Sequence, residues 1–272
     1  MDEVPVCDDI QVGGSNALLV IAGPCVIENR DMCLRIAEHL RAVCQNLGLP
    51  YVFKSSFDKA NRTSISSYRG PGLEEGLRIL EEVREEVGVP VLSDVHEPYQ
   101  TEPASEVLDV LQVPAFLCRQ TDLVVACADT GLPINVKKGQ FMAPEDMGRV
   151  AEKIRSRDNE RILLCERGTS FGYHDLVVDI RSIPRMQALG YPVIFDGTHA
   201  TQQPGGQGDT SGGNREMAPI LAAAAVAAGA NGLFLETHPE PQNALSDSAT
   251  MLPLDQIARM LEKLCSIADV AR

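Results

Sequence analysis

Residues 17–25 read Ala-Leu-Leu-Val-Ile-Ala-Gly-Pro-Cys. Six successive apolar positions leave no polar face, as in a strand covered on both sides within a parallel sheet. The proline then denies the ladder a donor and ends the run. Further runs of this kind follow at 51–54, 89–94, 113–117, 133–137, 161–166, 192–196 and 232–236, making eight. Between them, residues 31–45, 73–87, 102–111, 123–128, 144–155, 176–189, 219–228 and 253–268 carry helical spacing. Gly48 and Gly88 stand just past helix ends, and Pro144 and Pro253 stand at helix starts. Eight strand–helix alternations predict an α/β chain folded as a single (β/α)8 TIM barrel, a fold of about 250 residues, rather than a doubly wound sheet of fewer strands. Residues 1–272 are expected to form that one domain, with 1–16 as an N-terminal cap or hairpin over the bottom of the barrel.

Of the 272 residues, 44% are apolar and 23% charged, an ordinary globular composition. Lys plus Arg number 24 against 38 Asp plus Glu, a formal charge of -14, which argues against broad nucleic-acid binding. The most apolar stretch, 218–235, is broken by Gly229, Asn231 and Gly232, so no membrane span is expected. The N-terminus, MDEVPVCDDI, is acidic and lacks the basic segment and apolar core of a targeting signal, and a cytoplasmic location follows as an expectation. Eight scattered cysteines without an export signal read as reduced thiols; Cys33, Cys44, Cys118 and Cys165 suit small core positions.

A barrel enzyme carries its chemistry at the carboxyl ends of its strands. Lys54, Lys59, Arg62, Arg119, Lys137, Lys138 and Arg167 all fall in those loops of an otherwise acidic chain. They predict a focused positive pocket for a ligand bearing more than one phosphate or carboxylate group. Cys25, His199, Glu236 and Asp247 form a second set, whose thiolate, imidazole and carboxylates suit a divalent transition metal. No short ligand spacing marks them, and His238, on the same strand face as Glu236, is an alternative ligand. His39 and His174 read as structural or solvated. The glycine-rich segment 204–213 reads as a mobile lid in preference to a phosphate cradle.

Nine strings carry a resemblance that runs over nearly the whole chain: IAGPCVIE (21–28), FKSSFDKANRTS (53–64), YRGPGLEEG (68–76), SDVHEP (93–98), PAFLCRQTDL (114–123), NVKKGQF (135–141), ERGTSFGY (166–173), FDGTHA (195–200) and LETHPEP (235–241). With them the chain resembles the 3-deoxy-D-manno-octulosonate 8-phosphate synthases. The related seven-carbon synthases share the barrel but carry a KPRTS-type string where this chain has Lys59-Ala60-Asn61-Arg62-Thr63-Ser64. The resemblance implies condensation of phosphoenolpyruvate with D-arabinose 5-phosphate and water, releasing inorganic phosphate, on a route to lipopolysaccharide or to a plant pectin. By position it assigns Lys59, Lys137 and Arg167 to the phosphoenolpyruvate anion, supported by Lys54, Arg119 and Gln140, with Ser56 and Phe171 also in the substrate set. It places Asn61 and Asp94 near the sugar hydroxyls, and Arg62 with Thr63 on the sugar phosphate of a neighbouring subunit within a homotetramer. Thr63 stands where the family often has serine and keeps the hydroxyl.

The family divides at the first-strand residue, cysteine in the metal-dependent branch and asparagine in the other; here it is Cys25. Together with His199, Glu236 and Asp247 it implies one divalent transition metal per subunit, zinc or iron, with manganese or cadmium able to substitute. The catalytic set implied is His199, Asp247, Lys59, Asn61 and Asp94. Metal-bound water, His199 and Asp247 all stay open as the base that activates water. The competing readings are a seven-carbon synthase, a metal hydrolase on the same barrel, and a non-catalytic sugar-phosphate sensor, of which the last two leave part of the cation-and-ligand set unexplained.

Overall fold

The computed structural model describes residues 3–7, 9–62, 64–172, 174–204 and 212–271. Strands one to eight are Leu19–Gly23, Tyr51–Lys54, Val91–Asp94, Val110–Val113, Ile134–Lys137, Ile162–Glu166, Val193–Asp196 and Gly232–His238. Each pairs in parallel with the next, and strand eight pairs with both seven and one, so the sheet closes into a barrel. Closure explains the unbroken apolar runs: every residue of these strands is buried, one face to the barrel interior and the other to the surrounding helices.

Side chains alternate accordingly. Leu19, Ile21, Val52, Leu92, Val110, Leu163, Cys165, Ile194 and Phe234 fill the interior. Val20, Phe53, Leu111, Val136, Leu164 and Phe195 pack outward against the helices. An antiparallel hairpin, Val4–Cys7 with Ile10–Val12, adds Val4, Val6, Ile10 and Val12 to the interior cluster. Its partners there include Leu19 and Val110, the first residues of their strands, so the hairpin plugs the end where the strands begin.

The outer helices are α1 (Arg30–Leu47), α2 (Leu73–Val87), α3 (Thr101–Val107), α4 (Thr121–Asp129), α5 (Met147–Arg155), α6 (Ser182–Gln187), α7 (Ala218–Ala227) and α8 (Ile257–Ala271). The Asn29 side chain caps α1 by accepting the Met32 N–H at 2.9 Å, and left-handed Gly48 (φ 65°) ends it. No helix among the described residues is long and apolar enough to cross a membrane.

Three elements differ most from the sequence expectation. Strand four lies at Val110–Val113, not 113–117, and α3 stops at Val107 instead of reaching 111. The ladder claims this stretch: the Asp109 N–H donates to the Val91 carbonyl at 3.0 Å and its carboxylate accepts the Val91 N–H at 2.8 Å. Pro114 then ends the strand, and Ala115–Leu117 make a single 3-10 turn. The sixth helix, expected over 176–189, is confined to Ser182–Gln187, because Asp175–Val177 pairs with Thr169–Gly172 as a surface hairpin.

Candidate active site

The carboxyl ends of the strands surround a cavity of about 530 Å³ whose walls include Lys54, Lys59, Asn61, Arg62, Asp94, Lys137, Gln140, Arg167, His199, Glu236 and Asp247. At its floor, ligand atoms of Cys25, His199, Glu236 and Asp247 all lie within 4.8 Å of one another. Cys25 reaches this place through the turn that follows Gly23, where a Cβ would stand 2.0 Å from the Lys54 carbonyl oxygen. His199 opens the turn after strand seven, Glu236 lies within strand eight, and Asp247 follows in its loop with a left-handed backbone (φ 48°), which aspartate tolerates better than most residues.

The histidine is fixed from behind. Its Nδ1 lies 2.8 Å from Asp196 Oδ2, and its backbone N–H donates to Asp196 Oδ1 at 2.9 Å. Nε2 therefore faces Glu236 Oε2 at 3.3 Å and Asp247 Oδ2 at 3.7 Å. Among the described residues, Glu236 Oε2 is buried with no donor in hydrogen-bond geometry, His199 Nε2 being its nearest polar neighbour. Cys25 Sγ is 3.3 Å from Asp247 Oδ2 and 3.1 Å from Ser246 Oγ. A sulfur, an imidazole nitrogen held by a carboxylate behind it, and two carboxylates, one of which keeps an oxygen without a hydrogen bond among the described residues, form a donor set that fits a divalent transition metal.

Electrostatics point the same way. Burial pushes the Cys25 thiol above its ordinary value, and Glu236 adds to the rise. Burial alone would lower His199, yet Asp196 and Glu236 outweigh it and hold the ring well above its usual range. The anions of the cluster therefore stabilise a positive charge at its centre.

Above the cluster stands the cationic wall. Buried Lys54 donates to Glu236 Oε1 at 2.6 Å and to the Cys25 carbonyl at 2.9 Å, while Lys59 Nζ is 3.7 Å from Glu236 Oε1. Lys137 pairs with Asp196 and lies 3.4 Å from the Phe234 ring centroid. Arg167 Nη2 donates to Gln202 at 2.5 Å, leaving Nη1 buried with no partner among the described residues. Asp94 accepts from Ser56 at 2.8 Å and from Gln112 at 3.3 Å. Burial would raise its carboxyl, but Lys59, then His96 and Lys54, hold it well below the usual range.

A match to the DAHP synthetase I family covers residues 3–270. The chain belongs to the DAHP synthetase I family. A Syntrophobacter fumaroxidans protein named 2-dehydro-3-deoxyphosphooctonate aldolase is 61% identical over 262 residues, 96% of this chain and 91% of that one. Proteins of the same name from Citrifermentans bemidjiense and Geobacter metallireducens are 58% identical over 258 residues (95% and 94% covered) and 55% identical over 264 (97% of each).

In this DAHP synthetase I family member the cavity does not gather every expected residue. Arg119 is exposed outside the lining, with its carbonyl accepting from Lys153 Nζ at 3.0 Å. Phe171, 78% exposed on the surface hairpin, borders a neighbouring cavity of about 540 Å³ that shares Gln140. Ser56 meets the site through Asp94. Lys138 turns away from the cavity. Arg62, expected to reach a neighbouring subunit, turns into its own chain's cavity, donating to Ser246 Oγ at 2.7 Å and lying 3.7 Å from Asp247 Oδ1. His238 faces Glu28 at 3.6 Å and accepts the Glu240 N–H at 2.9 Å, so it is no part of the cluster. Thr63 and residues 205–211 of the glycine-rich segment lie outside the described residues.

Gln112, Ser246 and the anchoring role of Asp196 were not anticipated. Gln112 escaped because strand four was placed too late, which left its inward face unread. Asp196 had a signal: an acidic residue ending an apolar strand three positions before the candidate ligand His199.

Proposed function

We propose that this family member condenses phosphoenolpyruvate with D-arabinose 5-phosphate and water, giving 3-deoxy-D-manno-octulosonate 8-phosphate and inorganic phosphate. The observation that carries this reading is the convergence of the cationic wall and the four-ligand cluster on one cavity of about 530 Å³. Two polyanions must be held together against their repulsion, and buried lysines and an arginine with an unused donor do that. The names carried by the relatives agree.

Lys59, Lys137 and Arg167 hold the phosphate and carboxylate of phosphoenolpyruvate, with Gln140 beside them. Asn61 and Asp94 take sugar hydroxyls, and Arg62 with Thr63 takes the sugar phosphate. Cys25, His199, Glu236 and Asp247 hold one divalent transition metal, zinc or iron, which when bound supplies Lewis acidity at the sugar aldehyde. His199, then Lys54 and Lys59, hold Glu236 ionised against its burial, and Asp196 orients His199. The carbon two–carbon three π pair of phosphoenolpyruvate bonds carbon three to the aldehyde carbon while the carbonyl π pair moves onto the aldehyde oxygen, which takes a proton; water adds at carbon two, and carbon–oxygen cleavage then releases inorganic phosphate and leaves a ketone at carbon two. The proton that this water gives up balances the one taken by the aldehyde oxygen.

The homotetramer and a cytoplasmic location belong to the same proposal; exposed Phe116 and Phe141 near the mouth offer apolar surface for self-association, which light scattering tests. The reaction is tested by measuring phosphate release with phosphoenolpyruvate and either aldose phosphate. Release with arabinose 5-phosphate and little with erythrose 4-phosphate is expected; the reverse preference identifies a seven-carbon synthase.

A further inference from the structure

The two adjacent lysines at the end of strand five, Lys137 and Lys138, face opposite ways. Lys137 lines the substrate cavity, whereas fully buried Lys138 lies under the loop that follows strand six. Its Nζ is 3.6 Å from Glu166 Oε1 and donates to the Gly168 carbonyl and to Thr169 Oγ1, both at 3.2 Å. Glu166 Oε1 in turn accepts the Gly168 N–H at 2.6 Å. One ion pair thus grips both polar groups of Gly168, which sits at φ 89°.

The residue between Glu166 and Gly168 is Arg167, whose guanidinium enters the cavity with Nη1 unpartnered among the described residues. Neither Lys138 nor Glu166 lines that cavity. A buried ion pair adds little net stability, because desolvation offsets the attraction, so stability does not account for two charges placed here.

We propose that Lys138 and Glu166 are positioning residues, clamping the Gly168 turn so that the free Arg167 Nη1 points at an anionic oxygen of phosphoenolpyruvate. This rests on the reading of Arg167 as a ligand of that substrate. A turn released at either group of Gly168 swings the guanidinium, and misplacement by about 1 Å costs up to about a hundredfold.

The test compares wild type, Lys138→Met and the neutral pair Lys138→Met/Glu166→Gln. Phosphoenolpyruvate binding is read by calorimetry, KM for each substrate from phosphate release, and folding from the melting temperature. Lys138→Met is expected to weaken phosphoenolpyruvate about tenfold or more while KM for arabinose 5-phosphate holds. The double variant, with no unpaired buried carboxylate, is expected to recover its melting temperature and keep the weakened binding; it carries the test where the single variant does not fold. Wild-type phosphoenolpyruvate affinity in either variant, equal loss for both substrates, or affinity that returns with melting temperature overturns the proposal. Wild type that binds no phosphoenolpyruvate overturns the reading of the cavity itself.

Discussion

Cys25 supplies the one sulfur of the four-residue cluster. The thiol sits against two carboxylates in a buried place, an arrangement that costs free energy until a cation joins it. Cys25→Asn removes the soft donor, and the purified variant is expected to lose bound metal by elemental analysis together with most turnover. A variant that retains both refutes the sulfur ligand. Four other buried cysteines stand away from the cluster: burial pushes Cys33, Cys44, Cys127 and Cys165 up to about 12, so at neutral pH they are inert thiols. Alkylation of the native protein at pH 7.5 followed by mass spectrometry is expected to spare all four of these cysteines. Their modification at the rate of an unfolded chain would contradict the packing described.

Among the elements, strands one and two meet at Gly23 with no room for a methyl group. Gly23→Ala is expected to cost roughly 1–3 kcal/mol in urea unfolding, the range for overpacking, with the Lys54 position disturbed as well. An unchanged midpoint would show that the strands yield freely. At the other end of the barrel, Val12→Ala in the plugging hairpin is expected to cost about 1–3 kcal/mol while leaving turnover of the folded protein intact. The contrast separates residues that hold the barrel from those that serve its mouth.

The elements also show what a sequence exposes. Strand two and α2 lie where the apolar runs and helical spacing placed them, at 51–54 and 73–87, because burial on both strand faces and one helix face leaves a plain pattern. Leu108 to Val113 was ambiguous because a short apolar run fits a helix end as well as a strand, and only pairing with Val91 decided it. Cys25, His199, Glu236 and Asp247 were legible as residue types at strand ends, yet their convergence depends on closure between strands eight and one, which no local spacing encodes. Arg119 and Phe171 followed motif position, and the backbone carries both outside the cavity.

For the whole molecule, an excess of 14 negative charges surrounds a mouth lined with Lys54, Lys59, Arg62, Lys137 and Arg167. That contrast focuses anions on the site and makes their capture sensitive to salt. It also links folding to pH. Asp94 titrates well below its ordinary 3.8 because burial is outweighed by Lys59, His96 and Lys54. A depressed folded-state value gives stability that is full above the unfolded value and is lost as pH falls through the folded one. The melting temperature is thus expected to hold down to about pH 5 and to decline below about pH 4, less steeply in Asp94→Asn. Equal slopes in the two proteins would remove Asp94 from that linkage.

The most direct measurement of the central claim follows phosphate release from phosphoenolpyruvate and arabinose 5-phosphate before and after metal is stripped with a chelator. Release that requires both substrates, vanishes on stripping and returns with added zinc or iron is the predicted result. Undiminished release from protein shown by elemental analysis to be metal-free would contradict the account.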